Sequence, residues 1–161
     1  MAKANGRRYI CIWDFAGQTP HTGVTLENIT ANGGINFYNV DNAVLRDVTS
    51  VADKYYSIFC NGAATITIES GTYSCTSNSI ALLAYYKDNP AKGLIINGGT
   101  FLTNGKPFSL HTVSGNTTNY LQPTVRGGIF DVDITTQGIT LEEGYSIHQI
   151  SENRWEVTEN N

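Results

Sequence analysis

Glu27 and Glu69 are the carboxylates whose setting could do chemistry. Hydrolysis of a glycosidic bond needs two carboxyl groups about 5–9.5 Å apart, one on each side of the bond. A lyase would gather carboxylates around calcium and poise a basic residue to remove a proton. VTLENIT around Glu27 and ATITIESGTYS around Glu69 both read as a strand running into a turn. Stacked two rungs apart, the carboxylates would be separated by roughly 9.6 Å, in the inverting range. VLRDVTS, however, sets Arg46 between them. Its guanidinium would hold both groups ionised, whereas acid catalysis requires one of them protonated. A structural charge ladder is the stronger reading, and no catalytic residue is assigned.

The other reactive side chains are sparse. Asp131 and Asp133 in FDVD would face the same way and could bind a cation, but no third carboxylate accompanies them. Cys11, Cys60 and Cys75 are too scattered for a disulfide framework, and they read as small buried apolar side chains. His21, His111 and His148 are far apart and no C-x-x-C pair exists, which argues against structural zinc. G-x-S-x-G, P-loop and H-E-x-x-H signatures are missing. Neither a metal nor a cofactor is expected.

The elements that would position these residues repeat along the chain. GLIINGGTFL at 93–102 has relatives at 64–74 (ATITIESGTYS) and 123–132 (PTVRGGIFDV), with fainter copies at 24–30 and 44–50. Aligned on Leu26, Leu45, Ile68, Ile96 and Val125, the copies are spaced 19, 23, 28 and 29 residues apart. Strand period two points these aliphatics inward and the next column outward: Glu27, Arg46, Glu69, Asn97 and Arg126. Alternating charge is what rungs about 4.8 Å apart tolerate, since like charges side by side repel. Turn formers follow (Asn28, Asp47, Ser70, Gly98, Gly127), then a threonine column, then Tyr73, Phe101 and Phe130 as an aromatic stack. Recurring strand and turn with no helical pattern between copies is the signature of a β-solenoid.

A second strand class lies between the copies: INFYN, SIFCN, IALLAYY and FSLHT. Its outward columns would be Asn36, Phe59, Ala81, Ser109 and Tyr38, Asn61, Leu83, His111. Tyr38, Phe59 and Leu83 facing water would form an apolar stripe. Such a stripe would bury against another subunit. Alternatively its aromatics, with Tyr56, Tyr85 and Tyr86, would stack on sugar rings. A one-residue slip in register would instead turn all of them inward. The candidate contact residues are therefore Tyr38, Phe59, Leu83, Tyr85, Tyr86 and His111.

Composition sets the frame. The 161 residues fit one domain, only 15% are charged, and Gly (16) and Tyr (9) are plentiful, as suits short strands and turns. A net charge of −4 argues against electrostatic nucleic-acid binding, and no run approaches the ~20 apolar residues of a membrane span. The basic start MAKANGRRYICIWDFAG lacks a signal-peptide apolar region, so no export signal is expected. YICIWDF at 9–15 reads as an opening strand over the first coil, within an N-terminal cap at 1–23. Coils are expected over 24–136, with working loops at 86–92 and 113–122. Residues 137–161 form the C-terminal cap, a strand–turn–strand hairpin with Ile147, Trp155 and Val157 as its apolar set.

ITIESGTYS, LIINGGTFL and VRGGIFDVD, followed by LEEGYSIHQISENRWEVTEN, resemble the right-handed parallel β-helix repeats of gut Firmicutes and their phages. The resemblance covers about residues 24–158; the first two coils depart from it by lacking the Gly-Gly turn. It implies an all-β fold, a right-handed parallel β-helix of about five coils with a capping strand and a C-terminal hairpin. Members resembling this chain are surface-display or virion proteins more often than enzymes. The expected role is a non-catalytic phage virion protein, a head-fibre, decoration or tail-type module assembled in the host cytoplasm. It would self-associate, for example as a trimer, or contact other virion proteins. The alternative is a carbohydrate-binding or adhesion module of a bacterial surface protein; a third class is a polysaccharide lyase or glycoside hydrolase.

Overall fold

A computed structural model describes residues 10–13, 21–38, 40–54, 56–61, 65–76, 78–84, 93–112 and 123–161. The strands, in chain order, are β1 (Ile10–Trp13), β2 (His21–Thr22), β3 (Thr25–Glu27), β4 (Thr30–Asn32), β5 (Ile35–Tyr38) and β6 (Val40–Asp41). Then come β7 (Ala43–Arg46), β8 (Val48–Ala52), β9 (Tyr56–Asn61), β10 (Thr65–Ile68), β11 (Gly71–Cys75) and β12 (Asn78–Ala84). The last group is β13 (Gly93–Ile96), β14 (Thr100–Leu102), β15 (Phe108–Thr112), β16 (Thr124–Val125), β17 (Gly128–Phe130), β18 (Tyr145–Ser151) and β19 (Arg154–Glu159). A single 3₁₀ turn, Ile134–Gln137, stands between β17 and the final hairpin.

The protein is all-β, built on parallel sheets. Sheet I stacks β3, β7, β10, β13 and β16; sheet II begins β4, β8, β11, β14, β17; sheet III stacks β1, β5, β9, β12 and β15. From β3 to β17 the chain visits the sheets in the repeating order I, II, III, interrupted by β6, which pairs parallel with β2 in a two-stranded sheet. Strands of the three main sheets pair with their equivalents in the next repeat. The opening strand β1 covers the first repeat at sheet III, parallel to β5 with Ile10 beside Ile35. At the other end β19 pairs antiparallel with β17, and β18 with β19, so the predicted hairpin adds two strands to sheet II. Val157 of that hairpin is buried, and Ile147 packs against the core.

The inward columns hold as the repeats predict. Leu26, Leu45, Ile68, Ile96 and Val125 are consecutive register neighbours, and all but Leu26, at the open end, are completely buried. In sheet II, Ala31, Ser50, Tyr73, Phe101 and Phe130 form one column. The rings stack at 5.2 Å (Tyr73 on Phe101) and 4.8 Å (Phe101 on Phe130). The Tyr73 hydroxyl donates to the Ser70 carbonyl at 2.9 Å, which satisfies the one polar atom of this stack. Ser50, where no ring is present, donates to the Ser57 carbonyl at 2.7 Å.

The turn from sheet I to sheet II changes type along the stack. In the first two repeats its first residue is left-handed: Asn28 at φ 53° and Asp47 at φ 50°. Asn and Asp tolerate that conformation better than other side chains. In the later three the positive φ moves one residue on, to Gly71 (123°), Gly99 (109°) and Gly128 (114°). A Cβ on Gly98 would sit 2.6 Å from the Glu69 carbonyl oxygen, so this turn needs glycine for proximity as well as for φ.

Candidate functional site

The outward column of sheet I follows from the same alternation. Glu27 lies beside Arg46 in register, Glu69 follows on the next rung, and Asn97 Nδ2 donates to Glu69 Oε2 at 3.2 Å. Arg126 closes the series against Glu142, its Nη2 donating to Glu142 Oε1 at 3.0 Å and its Nε to Oε2. The hydrogen bond and charge of Glu142 raise the guanidinium pKa, and the hydrogen bond from Arg126 lowers that of the carboxyl. Glu69 therefore belongs to a cross-rung ladder, with Arg46 between it and Glu27. The side-chain ties of this column are Asn97 to Glu69 across a rung and Arg126 to Glu142 of the C-terminal segment.

Asp131, Asp133 and Asp47 are also engaged structurally. Asp131 Oδ2 accepts from the backbone N–H groups of Thr103 (2.6 Å) and Gly105 (3.1 Å), while its Oδ1 accepts from the Thr103 hydroxyl (2.9 Å). Asp133 caps the 3₁₀ turn instead, accepting from the Thr135 N–H at 3.0 Å and from the Thr135 hydroxyl. The two carboxylates, alike in the FDVD pattern, thus serve two separate loops. Asp47 is tied across a rung, its N–H donating to Ser70 Oγ and its Oδ1 accepting from the same hydroxyl, both at 2.8 Å. Among the described residues no group of three or more His, Cys, Asp or Glu side chains is placed to hold a metal ion.

On sheet III the register is the one the period-two reading gave. Asn36, Phe59, Ala81 and Ser109 are successive neighbours, as are Tyr38, Asn61, Leu83 and His111. Ile35, Phe37, Ile58 and Cys60 fill the interior, so the alternative with a one-residue slip does not occur. Tyr38 and Phe59 are nonetheless half-buried rather than bare. The Phe59 ring packs on Tyr56 at 5.5 Å with the planes tilted by 42°. Leu83 and His111 occupy the expected register positions; Tyr85, Tyr86 and the loops at 86–92 and 113–122 lie outside the described residues.

Two residues of this face escaped the sequence reading. Strand β1 brings Cys11 beside Asn36 and Trp13 beside Tyr38 in register, which lengthens both register columns by a rung. The signal was available in the alternation of ICIW, but without a glycine turn the segment did not align with the repeats. Cys11 is consequently exposed, correcting the expectation that all three cysteines are buried, whereas Cys60 and Cys75 are interior. Burial drives the Cys60 thiol pKa strongly upward. Among the described residues no helix is long and apolar enough to cross a membrane. No family model, curated protein or solved structure matches the chain.

Proposed function

We propose that the chain is a right-handed parallel β-helix of about five coils that serves as a non-catalytic, virion-associated structural or display module of a phage. The observation that carries the non-catalytic part is the use made of the outward polar groups. Glu69, Asp131, Asp133 and Glu142 are each spent on a cross-rung tie, a loop or a cap. A general acid needs a carboxyl kept protonated near neutral pH, and Arg126 acts on Glu142 in the opposite direction. The recurrent I, II, III strand order and the unbroken inward columns support the coil reading. The virion setting rests on the resemblance of the I-x-G-G-T-F coils and the terminal hairpin.

The test is assembly state together with turnover. Light scattering is expected to find an oligomer, or a complex with other virion proteins, at high micromolar concentration. A persistent monomer with no virion partner counts against the reading. Product release from a polysaccharide panel, abolished by Glu69→Gln, would replace it with a lyase or hydrolase.

A second reading is favoured by the alignment of Trp13 with Tyr38 on the sheet III face, with Asn61 and His111 further along that column. Aromatic and amide groups on one column suit sugar rings and their hydroxyls. A glycan array would support this carbohydrate-binding role if binding were lost in Trp13→Ala, Tyr85→Ala and Tyr86→Ala.

A further inference from the structure

Among the described residues, the final hairpin ends sheet II on an open strand. β18 is seven residues long, it stands at the end of the sheet order, and β19 is its strand partner. Ser146, His148, Gln149, Ile150 and Ser151 are exposed, and Ile150, at 46%, is one of two large hydrophobic side chains so exposed among the described residues. Natural sheet edges are usually blunted by Lys, by Pro or by a bulge. Tyr145–Ser151 contains no Lys, Arg, Asp, Glu or Pro. Its one irregularity, a register shift between Gln149 and Ser151, leaves Tyr145 to Gln149 regularly paired with β19.

Charge decides what this edge can accept. Residues 141–161 hold five glutamates (142, 143, 152, 156 and 159) against Arg154 alone, so they carry a net −4, the net charge of the entire chain. Glu143 and Glu152 bracket the strand, and both are exposed. In an antiparallel pairing of two copies centred between Ile147 and His148, Glu143 of one strand would face Glu152 of the other. A parallel pairing would set each of the two beside its own equivalent. Like charges across a strand pair destabilise it, so a second copy is a poor occupant.

We propose that the β18 edge is a docking site for an extended segment of a partner protein, uncharged and β-forming at its centre and flanked by Lys or Arg. The segment would add as a further strand of sheet II. Main-chain hydrogen bonds would hold it, Ile150 would supply an apolar contact, and Glu143 and Glu152 would select its basic ends. The assignment stands on the hairpin alone and does not depend on the virion setting.

The experiment is amide NMR on the whole chain, titrated at low salt with a short peptide of alternating Thr and Val with paired Lys at both ends. Shifts and new exchange protection are expected along 145–151. Two control peptides should fail to protect these amides: one with Glu in place of Lys, and one of equal charge with Pro at alternate positions. Glu143→Gln with Glu152→Gln, both on the surface, should weaken binding about tenfold while leaving the spectrum folded. Ile150→Lys should abolish it. Equal binding of the Glu-flanked or Pro-containing peptide, shifts confined to another face, or self-pairing of two copies through β18 would each overturn the proposal.

Discussion

The ring of Phe101 lies 4.8 Å from that of Phe130 with only 7° between their planes, and Tyr73 continues the stack at 5.2 Å on the other side. The central ring thus has aromatic neighbours on both faces and is completely buried. Phe101→Ala should cost about 3–5 kcal/mol in urea unfolding, through lost burial and the cavity left between two rings. Phe101→Leu should cost less, since most of the volume is retained.

The Arg126–Glu142 pair predicts an acid limb in stability. Its guanidinium lowers the folded-state pKa of Glu142, so the contribution is fully present above the unfolded carboxyl value, about 4.3. That contribution is lost as pH falls through the lower folded value. Glu142→Gln should therefore be less stable than the parent at pH 7, and the two should converge as pH falls into the acid range. Thermal melts across that range check the sign.

Glycines at the turns should respond in two distinct ways. Gly98→Ala places a Cβ against the Glu69 carbonyl, which cannot retreat without breaking the rung, and should cost about 1–3 kcal/mol. Gly138 has φ 79° but open space around it. Gly138→Asn should stay within about 1 kcal/mol of the parent, because Asn already adopts positive φ at 28, 42, 104 and 153. Denaturation midpoints of the two variants separate crowding from conformation.

Thiol labelling should divide the cysteines. Cys11 is exposed and should react with a disulfide reagent in the native state, while Cys60 and Cys75 should wait for unfolding. Reaction of Cys60 together with Cys11 in the native state would contradict the sheet III register.

The columns were legible because two physical rules act on every rung: side chains alternate along a strand, and equivalent positions stack on adjacent strands. Five copies of Leu26-type aliphatics and three of Phe101-type rings satisfied both, and the structure places them so. The carboxylates were harder to read. FDVD makes Asp131 and Asp133 look alike, yet one answers the 103–105 loop 26–28 residues earlier and the other answers Thr135, two residues later. Those partners belong to loops whose paths no strand period specifies. Trp13 was missed for a related reason: β1 extends one sheet without completing a repeat.

The sheet II interior column carries Ala31, then Ser50, then three stacked rings. Its rungs are therefore not interchangeable. Duplicating the unit between Tyr73 and Phe101 would set ring upon ring and lengthen each sheet by one strand. The same unit inserted between Ala31 and Ser50 would force an aromatic between two small side chains. Growth of such a protein by tandem copying has a permitted end and a forbidden one.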